Sequence, residues 1–176
     1  CNGGSSYSTP NINALAQNGM RFTQCHTAPL CSPSRVMLLT GKYNFRNYTT
    51  WGSLDAGNRT IANILKAAGY ATCVAGKWQL GGGDNSIRSF GFDKYSVWLP
   101  FLLRPEELEG SRYKSPKIYQ DNNYLPATAT EGLYSEDIFA DYVKQFIQDN
   151  KQHPFFIYYS MILSHKAFSP TPNDPE

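Results

Sequence analysis

The chain has 176 residues, of which 41% are hydrophobic and 17% charged, the size and apolar content of one globular domain. Its 16 basic side chains nearly balance 14 acidic ones, and no basic run could follow a phosphate backbone, so nucleic acid is not the expected partner. No apolar run reaches the ~20 residues of a membrane span, and the N-terminus lacks the pattern of a signal peptide.

The first part of the chain predicts two helices with a short strand between them. Thr9 and Pro10 introduce a helical pattern that ends at Gly19. Residues 20–26 alternate apolar and polar side chains, which predicts a strand. A second helix is predicted to begin near Pro33 and to end at Gly41, a natural C-cap.

The remaining segments predict a parallel α/β arrangement. Residues 60–68 have helical spacing, and a buried strand is predicted at 70–75 after Gly69. Residues 98–130 are predicted to be a loop excursion, because they are rich in Pro, Tyr and Asn without clear periodicity. An amphipathic helix at 135–150 and a second buried strand at 154–161 follow. The predicted fold class is therefore α/β, with a mostly parallel sheet flanked by helices.

Cys31 is a candidate reactive residue because it lies two positions before the proline of the second helix. The N-terminus of a helix presents free N–H groups and a positive dipole end, which favour an anion. His165 follows the last predicted strand, and open α/β sheets bind ligands at the carboxyl ends of their strands. For an isolated cysteine of this kind, a buried structural role is the commoner outcome.

The residues around Cys31 carry a family resemblance. Residues 29–41 read PLCSPSRVMLLTG, which resembles the sulfatase signature in which C-x-P-S-R is followed by two residues, an apolar pair, Thr and Gly. Residues 69–81 read GYATCVAGKWQLG and are similar to the second sulfatase signature. Further segments occur in the family's order, and these are residues 9–16, 19–22, 91–95, 154–165 and 170–172.

The resemblance implies a fold, an activity and a location. It implies that residues 1–176 are part of a sulfatase catalytic domain with an alkaline-phosphatase-like fold, incomplete and truncated at both ends. The implied reaction is hydrolysis of sulfate monoesters, with a sulfated small molecule or a sulfated glycan as substrate. Such enzymes are typically periplasmic or secreted, and a formylglycine-generating enzyme matures them. The chain alone is expected to be inactive.

The resemblance also assigns roles to four residues. Cys31 is oxidised to formylglycine, whose hydrated aldehyde is the nucleophile; after transfer, the second hydroxyl of the hydrate ejects sulfate as the aldehyde forms again. Arg35 supports this hydrate, and Lys77 contacts both the sulfate and the hydrate. His165 binds the sulfate or protonates the leaving oxygen. Outside the matched segments, Lys77 would be read as a solvated lysine and His165 as a surface histidine.

The chain departs from the family pattern at one catalytic position and in its metal ligands. Gln79 occupies the position of a histidine that is thought to manage the proton of the hydrate, and glutamine does not titrate. Calcium is the implied metal, with Cys31 as formylglycine among its ligands and the other ligands outside this chain. Calcium prefers six to eight oxygen ligands, so formylglycine alone could not hold it. The pairs Asp84-Asn85, Asp121-Asn122 and Asp149-Asn150 are interpreted as turn or helix-end residues.

Two other functions remain open from the sequence. One is a phosphodiesterase or phosphonate hydrolase of the same superfamily, because a shared scaffold accepts tetrahedral anions of either element. The other is a non-catalytic homologue that binds sulfated glycan without cleaving it, for which Gln79 is the main support.

Overall fold

The computed structural model describes residues 8–48, 50–102, 104, 111–165 and 168–173. Its centre is a five-stranded sheet in the order β4-β3-β2-β1-β5. The strands are β1 (Ala71–Lys77), β2 (Lys94–Trp98), β3 (Tyr119–Gln120), β4 (Asn123–Tyr124) and β5 (Phe155–Ser160). The helices are α1 (Pro10–Asn18), α2 (Cys31–Thr40), α3 (Ile61–Ala67), α4 (Gly83–Ser89), α5 (Ala127–Thr130) and α6 (Ser135–Asn150), with a 3-10 turn at Asn44–Arg46.

The three long strands run in the same direction and place β1 in the middle. β1 pairs in parallel with β2 on one side and with β5 on the other. The short strands β3 and β4 extend the β2 side through antiparallel pairs, so the sheet is mixed. This confirms the predicted α/β class with parallel long strands flanked by helices.

Local sequence signals explain where several helices begin and end. Thr60 and Asn63 form a capping box at the start of α3, because the Thr60 side chain accepts from the Asn63 N–H while the Asn63 side chain accepts from the Thr60 N–H. Gly41 ends α2 with φ +64°, a left-handed conformation in which its N–H bonds the Met37 carbonyl. The four helices that the sequence predicts are present in the structure as α1, α2, α3 and α6.

The main core lies between β1, β2 and the helices around them. It includes Trp78, Phe90, Phe92 and Tyr95, all of which are at most 2% exposed. A second cluster around Phe139 of α6 covers another part of the sheet. Buried apolar area of this kind is the main favourable contribution to folding. Within the described residues, no helix is long and apolar enough to span a bilayer.

The predicted strand at residues 20–26 is wrong. In the structure this segment is an irregular exposed connection, in which Met20 is 78% and Phe22 is 72% exposed. Alternation of apolar and polar residues produces a strand only where a neighbouring strand supplies backbone partners and one face is covered. The five-stranded sheet does not include this segment.

Three other features differ from the sequence-based expectation, namely the start of α2, the burial of β5 and the structure within residues 98–130. The helix α2 begins at Cys31 itself, with Leu30 as N-cap, rather than near Pro33. The strand β5 is half-buried along its whole length, because it is the last strand of the described sheet. Parts of the range 98–130 form β3, β4 and α5, whereas residues 103 and 105–110 of that range lie outside the described residues.

Candidate active site

The candidate site lies at the carboxyl ends of the parallel strands. Lys77 is the last residue of β1, and Cys31 is the first residue of α2. Gly76 precedes Lys77 with φ +88°, and a Cβ there would lie 2.1 Å from the carbonyl oxygen of Ser160 in β5. Only glycine fits this close approach, so β1 and β5 remain in contact up to the position of Lys77.

Cys31 and Lys77 contact each other directly. The Lys77 Nζ donates to the Cys31 Sγ at 3.4 Å, and Cys31 is exposed while Lys77 is only 7% exposed. Burial raises the pKa of the Cys31 thiol, but the charge and hydrogen bond of Lys77, the charge of Arg35 and the Ser32 N–H outweigh burial, so that the pKa is lowered. The position of Cys31 therefore stabilises an anion, as the helix N-terminus predicts.

Arg35 joins α2 to the end of β1 from behind Cys31. Its guanidinium donates to the carbonyl oxygen of Trp78, and Nη2 lies 3.4 Å from both the Gln79 carbonyl oxygen and the Ser32 Oγ. Arg35 is 6% exposed, and burial is the first cause that lowers its pKa. A buried cation in this position fixes the turn after β1 and adds positive potential to the site. Cys31, Arg35, Lys77 and the turn Trp78–Gln79 are called the cysteine corner below.

Gln79 is buried within the cysteine corner. It is 7% exposed, it has φ +42°, and its N–H donates to the Leu99 carbonyl oxygen at 2.9 Å. Its side-chain oxygen Oε1 is buried without a hydrogen-bond partner among the described residues. A buried carbonyl oxygen without a donor is costly, so this atom is suited to accept a hydrogen bond from a bound group.

His165 reaches the same edge on the segment that follows β5, residues 161–165, which is called the strap below. The strap continues β5 beyond Ser160, which is in register with Gly76 of β1. The Tyr113 hydroxyl donates to the His165 carbonyl oxygen at 2.8 Å, and His165 itself is exposed. A hydrogen bond joins Cys31 to Lys77, and Arg35 acts on both through its charge, whereas His165 follows β5, which pairs with β1.

Glu136 holds the strap, and sequence reasoning did not identify it. Its Oε1 accepts from the N–H groups of Ile162 at 2.7 Å and Leu163 at 3.3 Å, and its Oε2 accepts from the Tyr159 hydroxyl. Burial and the hydrogen bond to Glu136 raise the pKa of Tyr159. Glu136 is 7% exposed although it lies in the first turn of α6. An acidic residue at a helix start is ordinary, so only its burial distinguishes it.

The calcium site implied by the resemblance is not assembled by the part of the chain that the structure describes. Among those residues, no group of three or more His, Cys, Asp or Glu side chains could hold a metal ion. Asp84 instead accepts from the hydroxyls of Tyr95 and Tyr119, and Asp121 accepts from that of Tyr142. These carboxylates take part in the fold.

Comparison with known proteins identifies the family. The sulfatase family model matches residues 1–176, and the chain belongs to this family. It is 30% identical to an N-acetylglucosamine-6-O-sulfatase of Bacteroides thetaiotaomicron over 176 residues, covering 98% of this chain and 29% of that protein. It is 43% identical to arylsulfatase G of Rattus norvegicus over 96 residues, covering 49% of this chain and 18% of that protein.

Solved structures show the same fold. One, described as a complex with its substrate D-glucosamine-2-N,6-O-disulfate, has a TM-score of 0.77 and 30% identity, and it covers 97% of this chain and 32% of that one. A second, from work on glycosaminoglycan metabolism by Bacteroides thetaiotaomicron, has a TM-score of 0.76 at 24% identity and shows the fold alone. The fold is thus that of the alkaline-phosphatase-like sulfatases. The chain spans about a third of the length of the N-acetylglucosamine-6-O-sulfatase and of the first of these structures.

Proposed function

We propose that the protein containing this chain is a sulfuric ester hydrolase that removes sulfate from a sulfated sugar, with a nucleophile made from Cys31. The observation that carries the proposal is the contact of Cys31, at the N-terminus of α2, with the Lys77 ammonium at the end of β1. The family match over residues 1–176 supports the same reaction class.

The environment of Cys31 fits a formylglycine. The side chain is exposed, next to a buried ammonium, and its thiol pKa is lowered, so the site accepts a polar, partly anionic oxygen group in place of sulfur. Once formed, a formylglycine supplies a hydrated aldehyde whose hydroxyl attacks sulfur and which later releases sulfate. A formylglycine-generating enzyme is the maturation partner that this proposal requires.

Lys77 and Arg35 have different roles in the proposal. Sulfuryl transfer resembles phosphoryl transfer, in which the protein mainly positions the group and neutralises its equatorial oxygens. Lys77 is the cation that contacts the sulfate and the nucleophile, because its ammonium already lies beside Cys31. Arg35 acts from the same helix as Cys31, because its two terminal nitrogens donate to the carbonyls of Trp78 and Gln79 while its charge also acts on Cys31. It supports the nucleophile by holding α2 against the end of β1.

His165 is proposed to bind the sulfate or to protonate the leaving oxygen. The alcohol leaves as an alkoxide unless a proton reaches its oxygen, and an imidazole titrates in the range suited to that transfer. The strap brings His165 to the edge where Lys77 ends β1. Gln79 cannot take a proton, and its buried Oε1 has no hydrogen-bond partner among the described residues.

The substrate and the setting of the enzyme are also proposals. Relatives and neighbours are named for N-acetylglucosamine 6-sulfate, aryl sulfates and a disulfated glucosamine, and a sulfated glycan unit is the substrate we favour for this chain. Calcium binding by the formylglycine, with ligands from elsewhere in the whole protein, stays a prediction. A periplasmic or secreted location stays a prediction as well.

The test uses the whole protein that contains this chain, produced with and without a formylglycine-generating enzyme. In the peptide that carries Cys31, conversion removes one sulfur and two hydrogens and adds one oxygen, which mass spectrometry detects. Sulfate release from N-acetylglucosamine 6-sulfate is then measured. We expect turnover only in the converted protein, and Cys31→Ala should abolish it. Converted protein with calcium present and no release from this sugar or from an aryl sulfate would refute the proposal.

Two outcomes of the same experiment would support the other functions. A higher kcat/KM for the phosphate ester than for the sulfate ester of one alcohol would indicate a phosphodiesterase or phosphonate hydrolase. Binding of sulfated glycan without any release would indicate a non-catalytic homologue. The second outcome has one structural argument in its favour, namely that Gln79 does not titrate.

A further inference from the structure

A second cationic position lies beside the cysteine corner, on the neighbouring strand. Trp98, the last residue of β2, is in register with Lys77 of β1. The pairing continues past the strand ends, because the Trp78 N–H donates to the Trp98 carbonyl oxygen at 3.0 Å. Paired strands lie about 4.8 Å apart, and residues in register point to the same face. Trp98 is therefore the immediate lateral neighbour of Lys77.

Arg112 lies over the ring of this tryptophan. Its guanidinium carbon is 4.9 Å from the Trp98 ring centroid and 5.9 Å from that of Tyr113, and the residue is half-buried. Contact with an aromatic face holds a guanidinium in place while its in-plane N–H groups keep their capacity to donate. Trp98 thus positions Arg112 at the edge of the sheet where Lys77 ends β1.

The charge of Arg112 is felt at Lys77. Burial is the first cause that lowers the pKa of the Lys77 ammonium, and the charges of Arg35 and Arg112 lower it further, whereas Cys31 raises it. The electrostatic repulsion between neighbouring cations at a binding site decreases when an anion binds there. Arg35 lies on α2 with Cys31, and its terminal nitrogens donate to backbone carbonyls, whereas Arg112 lies over Trp98 on the strand next to Lys77.

We propose that Arg112 binds a second oxyanion group, a sulfate or a carboxylate, carried by the same substrate as the sulfate ester that lies next to Lys77. This inference rests on the proposed function, because it names the substrate class of that site as a sugar with at least two negative groups. A planar guanidinium matches such groups with paired hydrogen bonds. Arg112 is then a specificity-determining residue that contacts the part of the substrate that does not react.

The experiment compares two sugars in the whole, converted protein. One carries a single sulfate ester, and the other carries the same ester and a second sulfate; a third arm replaces the second sulfate by a carboxylate. The expected wild-type preference is for a sugar with two anionic groups. Arg112→Gln should reduce that preference, measured as the ratio of the kcat/KM values, by about ten- to a hundredfold, the effect of losing one hydrogen-bonded charged partner. The change should fall mainly on KM.

Two variants separate binding from structure. Arg112→Lys keeps the charge but loses the planar fork, so it should retain part of the preference. Arg88→Gln is the matched control, because Arg88 also lies over a ring, that of Tyr95 at 5.5 Å, but on α4. It should leave the ratio unchanged.

The outcomes distinguish the inference from the proposed function. If Arg112→Gln lowers kcat/KM equally for all sugars, or if the wild type shows no preference for a second anionic group, the inference is wrong while the sulfatase assignment stands. If the wild type releases sulfate from none of them, the proposed function itself fails.

Discussion

The cysteine corner and the strap lie at the same edge of the sheet, but they hold their functional side chains in different ways. In the cysteine corner the side chains themselves are fixed, since Lys77 contacts Cys31 and Arg35 donates to backbone carbonyls. In the strap the backbone is fixed, since Glu136 accepts from two N–H groups and the Tyr113 hydroxyl donates to the His165 carbonyl. The difference agrees with the proposed roles, in which the first region supplies a charged anchor and His165 in the second binds the sulfate or protonates the leaving oxygen.

The largest effect is expected at the junction of the two regions. Gly76→Ala places a Cβ 2.1 Å from the Ser160 carbonyl oxygen in a left-handed conformation, so β1 and β5 must move apart. We expect a loss of roughly 2 to 5 kcal/mol in the free energy of unfolding, from backbone strain and overpacking. Urea unfolding of the whole protein measures this loss.

Gly69→Ala is the control for this prediction. Gly69 also has a positive φ, +87°, but a Cβ there meets nothing within 4 Å. The cost should be only the backbone strain of about 1–2 kcal/mol. Equal costs at the two glycines would show that the close approach of the strands is unimportant.

The second largest loss in the free energy of unfolding is expected when the guanidinium of Arg35 is removed. Arg35→Ala leaves the carbonyl oxygens of Trp78 and Gln79 without this donor, and we expect a loss of roughly 2–4 kcal/mol. Urea unfolding of the whole protein again provides the measurement. The exposed Arg88→Ala should cost less than about 1 kcal/mol. If both variants unfold at the same urea concentration as the wild type, Arg35 does not hold α2 to β1.

A substitution of Glu136 should loosen the strap without changing the cysteine corner. Glu136→Gln replaces a carboxylate that accepts from Ile162, Leu163 and Tyr159 by an amide with one acceptor oxygen, at a cost of about 1–3 kcal/mol. Hydrogen exchange of the Ile162 and Leu163 amides should become faster. Exchange at Trp78 and Gln79 should not change.

Asp137→Asn is the matched control, because Asp137 lies in the same first turn of α6 and is exposed. It loses the same favourable charge near the helix N-terminus, about 0.3–1 kcal/mol, without losing a contact to the strap. Faster exchange of the strap in both variants would contradict a specific role for Glu136.

Substitution of Lys77 should change stability least, but it should clearly change the pH dependence of Cys31 alkylation. In unconverted protein, the alkylation rate of Cys31, measured on the peptide that carries it, follows its thiolate fraction. Lys77 lowers the pKa of this thiol, so Lys77→Gln should raise it and move the midpoint of alkylation to higher pH. Lys94→Gln, on the exposed side of β2 next to Asp121, should leave the midpoint unchanged. A midpoint that does not move in Lys77→Gln would show that the 3.4 Å contact has no electrostatic effect.

Elements with their own local signals were predictable from the sequence. The helix α6 has bounds of 135–150 as predicted, because its apolar periodicity is strong. The strand β2 and the short strands β3 and β4 were not predicted. Each depends on a neighbour: β2 pairs with β1, and β3 and β4 are too short to show a period. Pairing between distant segments is not encoded in a local pattern.

The candidate site divides in the same way. Cys31, Arg35, Lys77 and His165 could be selected as candidates because they lie in matched motifs, and the structure places Cys31 in contact with Lys77. Glu136, Tyr113 and Arg112 lie outside those motifs and act through contacts made only in the folded chain. Their residue types are common on surfaces, so sequence alone gave no reason to select them.

The exposure of Cys31 also provides a way to count matured molecules. Cys73 is fully buried, whereas Cys25 and Cys31 are exposed. Under the proposed function, maturation would remove one accessible thiol and create an aldehyde in its place. A thiol titration of the folded protein and a hydrazide label should therefore change in opposite directions by one equivalent per converted chain, which gives the occupancy of a preparation before any turnover is measured.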